Sequence, residues 1–101
     1  MKALLLDPVE QSIEEVQIGG LDDIKALVGF DTIESDAIDS GGDRLFFDEE
    51  CFLRGTSGRF QIDSVIPVAG KGVVARLEDD GVTFSDVQTD IDDLRKRTKY
   101  L

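Results

Sequence analysis

The side chains that could do chemistry in this chain are many carboxylates, one thiol and one lysine set between glycines. Histidine is absent from the 101 residues, which removes the most frequent general base, the Ser-His-Asp and Cys-His devices and most zinc sites together. A hydrolase built on paired carboxylates remains chemically feasible. With 22 Asp and Glu in so short a chain, however, two carboxylates meet by chance and their proximity carries little weight. Glu78-Asp79-Asp80-Gly81 and Asp90-x-Asp92-Asp93 resemble calcium ligands only superficially. Both lack the alternating oxygen ligands, the sixth-position glycine and the closing glutamate of an EF-hand loop, so turn and cap duties are expected of them.

Gly70-Lys71-Gly72 lacks the spacing of a phosphate loop, and a valine-rich strand rather than a helix follows it. A hairpin turn with positive φ is the expected role, and a recognition loop presenting Lys71 the alternative. Cys51 lies among apolar residues just after three acids, a setting that does not activate a nucleophile, so it is expected in the core. Phe46, Phe47, Phe52, Phe60 and Phe84 alternate with polar residues in strand-like stretches. They are expected in the core rather than on a base-stacking platform. No catalytic residue, metal site or cofactor site emerges, and the expectation is a protein that is not an enzyme.

Charge is the strongest compositional fact. The net charge is −11, and residues 1–50 hold 14 acidic and 3 basic side chains while the remaining residues hold eight of each. Such a field repels nucleic-acid phosphates and anionic membranes and favours a protein partner with a basic surface. Within the acidic half, Glu34, Asp36, Asp39, Asp43, Asp48, Glu49 and Glu50 fall on one predicted hairpin, which would gather carboxylates along an edge as a substitute for phosphates. The structural alternative is a solvated strand face that deters edge pairing. A single cysteine cannot form an intramolecular disulfide, the opening Met1 to Pro8 is too short for the apolar core of a signal peptide, and no run approaches membrane-spanning length. A cytoplasmic location is therefore expected.

The elements that must position these side chains follow from periodicity. Ala3 to Leu6 is a short unbroken apolar run ended by Asp7-Pro8, which predicts a central strand covered on both faces. Ser12 to Ile18 alternates imperfectly and predicts a returning strand with a bulge. Leu21 to Val28 predicts a short amphipathic helix ended by Gly29. Thr32 to Asp39 and Arg44 to Asp48, joined by Ser40-Gly41-Gly42-Asp43, predict a hairpin whose outer face is acidic. Extended structure is expected near Phe60 to Ile66, at Val73 to Leu77 and at Val82 to Phe84. A closing helix capped by Thr89 or Asp90 would run to Arg97. The order β-β-α-β-β-β-β-α over residues 1–101 predicts a single α+β domain, an antiparallel or mixed sheet with two short helices on it.

Several of these stretches carry a resemblance. Lys2-Ala3-Leu4-Leu5-Leu6-Asp7-Pro8, then Gly42-Asp43-Arg44-Leu45 with Asp48-Glu49-Glu50, then Ala69-Gly70-Lys71-Gly72-Val73-Val74 and Asp92-Asp93-Leu94-Arg95 are similar to a family of small, acidic, uncharacterised proteins from phages, prophages and plasmids. The resemblance implies a mobile-element setting in bacteria, where small acidic proteins bind and block host factors, and it brings no catalytic residues with it. A non-enzymatic protein binder of anti-defence or host-takeover type is the function expected. The alternatives are a small-ligand or nucleotide-binding module using Gly70, Lys71 and Gly72 against an apolar pocket, or a virion or assembly component.

Overall fold

An unbroken apolar run can be buried only if both faces of its strand are covered. The structure, a computed structural model that describes residues 1–101, does this for the first strand. Strand β1 (Lys2–Asp7) sends Leu4 and Leu6 into one apolar cluster and Ala3 and Leu5 into another. Asp7 ends it by accepting hydrogen bonds at Oδ1 from the N–H groups of Val9 and Glu10. Strand β2 (Ser12–Gln17) then returns antiparallel in continuous register, from Ser12 opposite Asp7 to Gln17 opposite Lys2. The expected bulge is absent. The change of phase arises because Ile13 serves the first cluster while Val16 and Ile18 serve the second, so the two faces are covered at different points along the strand.

Helix α1 (Leu21–Val28) carries Asp22 and Asp23 in its first turn, where the positive end of the helix dipole favours them, and turns Ile24 and Val28 to the core. Gly29 closes it at φ 94°, a conformation that costs glycine little, and donates its N–H to the Lys25 carbonyl at 2.8 Å. Strands β3 (Ile33–Ala37) and β4 (Asp43–Asp48) form the predicted hairpin, and a 3-10 turn occupies Cys51–Leu53. Then follow β5 (Arg59–Ile62), β6 (Val68–Ala69), β7 (Gly72–Leu77), β8 (Phe84–Ser85), α2 (Ile91–Arg97) and β9 (Thr98–Tyr100). Asp90 caps α2 by accepting at Oδ2 from the N–H groups of Asp92 and Asp93, at 3.1 and 3.2 Å.

The fold is α+β with every strand pairing antiparallel, and its strands divide between two sheets. The larger runs β2-β1-β7-β4-β3, with β8 also pairing with β7, and the smaller runs β6-β5-β9. The centre is therefore β7, flanked by β1 and β4, rather than β1 itself. Helix α1 covers one face of the larger sheet through Ile24, Val28, Phe46 and Val73. The smaller sheet and α2 cover the other through Phe60, Ile62, Leu94 and Leu45. Phe60 is fully buried, a burial worth about 1.5–3 kcal/mol. Phe46 and Phe47 are buried and Phe84 half-buried as expected, and Cys51 lies in the core with the Ala69 N–H directed at its Sγ. Phe52 departs from expectation: it is 50% exposed, with the Arg59 guanidinium over its ring.

The Gly70-Lys71-Gly72 stretch is a crossing between sheets and not a hairpin turn, because β6 and β7 belong to different sheets. Gly70 makes the bend at φ 78°. Gly72 allows the two layers to touch. A Cβ there would lie 2.7 Å from Phe60 Cζ and 3.0 Å from Leu45 Cδ1.

Candidate functional site

The predicted acidic face has seven members, and the structure separates them into two groups. Asp43 and Asp48 stand at the two ends of β4, an interior strand between β3 and β7, and are only 1% and 2% exposed. A carboxylate placed there must be satisfied from within the protein. Asp43 accepts from the Thr89 N–H at 2.7 Å, the Thr89 hydroxyl at 2.6 Å and the Gln88 N–H at 3.2 Å, with the Arg76 guanidinium 3.7 Å away. It ties the segment entering α2 to the larger sheet. Asp48 accepts from the Thr32 hydroxyl, from the Glu50 N–H at 3.1 Å and from Arg54 Nε at 2.9 Å. Arg54 also donates to Thr32 Oγ1 and lies over the Phe30 ring, 4.4 Å from its centroid.

Burial alone would push the Asp48 carboxyl up, but the hydrogen bonds from Arg54, Thr32 and the Glu50 N–H, with the Arg54 charge, outweigh it and hold it below the usual carboxylate range. The same hydrogen bond from the other side, aided by the charges of Asp48 and Glu50, raises Arg54 against a smaller opposing effect of burial. Both buried carboxylates are thus met by arginines from the second half of the chain. Neither belongs to an open acidic face.

Glu34, Asp39, Glu49 and Glu50 are exposed, and Asp36 is half-buried. Glu34 and Asp36 lie on β3, an edge strand whose single neighbour is β4. They stand opposite Phe47 and Leu45 and so project to the side of the smaller sheet, whereas the sequence pattern places them on the outer face. Asp39 sits in the hairpin turn and accepts from the Gly41 N–H at 2.7 Å. Glu49 and Glu50 lie at the other end, where the Glu49 N–H reaches the Thr32 carbonyl at 2.6 Å and Glu50 comes within 3.4 Å of Arg54. Glu34, Asp36, Asp39 and Glu49 have no ion-pair partner. Arg44, the hairpin's own cation, is spent on the other face, donating to Ser35 Oγ at 2.8 Å and to the Ser35 carbonyl at 3.0 Å. Glu34 and Asp36, alternate residues on a strand, are separated by about 7 Å, less than the screening length of about 8 Å at physiological salt, so these two charges act together.

Among the other acidic motifs, Asp80 accepts from the Thr83 hydroxyl and from the Thr83 and Val82 N–H groups, in that order of effect, which lower its pKa. It is a turn residue, as expected. No group of three or more Asp, Glu or Cys side chains converges as a metal's ligands would.

Gly70 and Lys71 border a cavity of about 330 Å³ where β1 and β4 end. Pro8, Val9, Leu27, Val28 and Phe30 form its apolar side. Thr56, Ser57 and Lys71 form its polar side, and Asp7 and Asp48 also reach it. Gly72 is buried between the layers and does not line it.

Fold and site together define a small α+β domain with unpaired carboxylates along the β3 edge of its larger sheet and a cavity of about 330 Å³ beside Lys71. No helix is long and apolar enough to cross a membrane. No family model matches the chain, and neither the curated proteins nor the solved structures compared with it include a match.

Proposed function

We propose that this protein acts by binding: the β3 edge takes a protein partner with a basic, nucleic-acid-binding surface, with carboxylates standing where phosphates would. The observation that carries this reading is that Glu34, Asp36, Asp39 and Glu49 lie along one hairpin without a cation, while the buried acids of the same hairpin are met by Arg76 and Arg54. Charges left unpaired at a surface lose little solvation until a complementary surface arrives, and they steer that surface from a distance. In this reading the protein performs no catalysis of its own. The sequence resemblance to phage, prophage and plasmid proteins supports a bacterial cytoplasm as the setting and a host factor as the partner.

The test is affinity capture from a bacterial lysate at low and high salt, with wild-type protein and an E34K/D36K/E49K variant as baits. The expected result is a basic protein held by the wild type at low salt, released at high salt and lost from the variant. Recovery of the same protein by both baits contradicts the reading.

A further inference from the structure

The cavity beside Lys71 is independent of the β3 edge and has its own chemistry. We propose that it binds a small amphipathic anion, with a carboxylate or phosphate head on Lys71, Thr56 and Ser57 and a compact apolar body against α1 and the β1–β2 turn. Its volume of about 330 Å³ falls at the lower end of the range for small-molecule sites.

The lining of the cavity is mixed, and its apolar and polar members differ in a way that orients a ligand. On one side Leu27, Val28 and Phe30 come from the C-terminal end of α1, where the helix dipole is negative and repels an anion. Pro8 and Val9, next to the Thr56–Gly58 loop and Lys71, add further apolar surface, and Val9 is 62% exposed, a large side chain that a bound apolar body would shelter. On the other side Lys71 has neither an ion pair nor a hydrogen bond within the protein, and no protein group takes the hydroxyls of Thr56 and Ser57. These are donors held ready.

The carboxylates that reach the cavity are already engaged. Asp48 is held by Arg54, Thr32 and the Glu50 N–H, and Asp7 accepts from Val9 and Glu10 in its own turn. Arg54 offsets the charge of Asp48, Asp7 keeps its charge beside Lys71 in the β1–β7 register, and Lys71 is the cation in the lining that no ion pair engages. The polar side is also fixed in shape. The Gly70 N–H donates to the Gly58 carbonyl at 3.0 Å, and a Cβ on Gly70 would lie 3.2 Å from Thr56 Oγ1. Glycine at this crossing keeps the backbone of the lysine loop against the Thr56–Ser57 loop, so the three donors start from neighbouring positions.

Heteronuclear NMR titration of the full chain with benzoate, phenyl phosphate, benzyl alcohol and inorganic phosphate tests the proposal. The amides of Val28, Gly29, Thr56, Ser57, Gly70 and Lys71 are expected to shift saturably with benzoate or phenyl phosphate, and the tighter of the two identifies the head group. Lys71→Gln is expected to weaken this binding about tenfold or more, and Ala26→Phe, which fills the cavity from an exposed position, to abolish it. Both variants should melt as the wild type does. Benzyl alcohol binding as tightly as benzoate overturns the anionic head, and inorganic phosphate binding as tightly as phenyl phosphate overturns the apolar body. Shifts elsewhere on the molecule, or no saturation by about 10 mM of either anion, overturn the site.

Discussion

Strands β3 and β4 are neighbours in one hairpin and both carry acids, yet their carboxylates lead opposite lives. On β4 they are buried and committed: Asp43 to the segment entering α2, Asp48 to Arg54 and Thr32. On β3 they are uncommitted, Glu34 exposed and Asp36 half-buried, because an edge strand has no second neighbour and no further strand to cover it. Position in the sheet, not residue type, decides which carboxylates hold the fold and which are free to meet a partner. A buried carboxylate loses water and must regain its hydrogen bonds inside, whereas an exposed one keeps its water and contributes little to stability.

Removing Asp43 is the largest test of this contrast. Asp43→Ala leaves the Thr89 and Gln88 N–H groups and the Thr89 hydroxyl without their acceptor, and is expected to cost about 3–5 kcal/mol in denaturant unfolding. Glu34→Ala, on the adjacent strand, is expected to stay within about 0.5 kcal/mol. Equal costs for the two would erase the distinction. Arg54→Ala comes next. It strips a partner from buried Asp48 and the cation from the Phe30 ring, and is expected to destabilise clearly but less than Asp43→Ala, since Arg54 itself is partly solvated.

The pH dependence sharpens the same point. Because the folded Asp48 carboxyl lies below its unfolded value, folding contributes stability that is complete above the unfolded carboxylate range near pH 4. That stability is lost as pH falls through the lower folded value. Asp48→Asn should therefore lower stability at neutral pH and flatten the acid limb of the wild-type stability profile. An unchanged acid limb in Asp48→Asn contradicts the assignment. The smallest effect on stability is expected from E34K/D36K/E49K, whose melting temperature should match or slightly exceed that of the wild type as like charges are relieved.

Local signals carried much of this architecture. Gly29 after an amphipathic octet, Asp90 ahead of Ile91 and Leu94, and the turn glycines at 41 and 42 each act within a few residues, and the helices and hairpins they mark stand where periodicity puts them. What needs long-range pairing was not legible. The second sheet exists because Arg59–Ile62 meets Thr98–Tyr100 across the chain, and a three-residue strand directly after a helix has no punctuation to announce it. The central place of β7 likewise depends on partners at both sides that no local pattern reveals.

The acidic site was half legible for a related reason. Glu34 and Asp36 alternate along a strand and remain uncommitted, but Asp43 and Asp48 bracket Arg44-Leu45-Phe46-Phe47, a run too apolar for an outer face, and that bracket was the available sign of burial. Their arginine partners, 33 and 6 residues further along, could be matched to them only in three dimensions. Phe52 shows the converse. Its aromatic type suggested core, but the 3-10 turn at Cys51–Leu53 buries the cysteine and turns the ring out towards Arg59.

The two edges of the larger sheet offer the most direct measurement, since Glu10, Glu14 and Glu15 on and beside β2 can be reversed with the same change in net charge as Glu34, Asp36 and Glu49 at β3. The dissociation constant for the captured partner should be measured for both triple variants across a range of salt. Weakening of about tenfold or more with a flattened salt slope for E34K/D36K/E49K, and near wild-type binding for E10K/E14K/E15K, is the predicted result. Equal loss in both variants, or loss in neither, would contradict a specific role for the β3 edge.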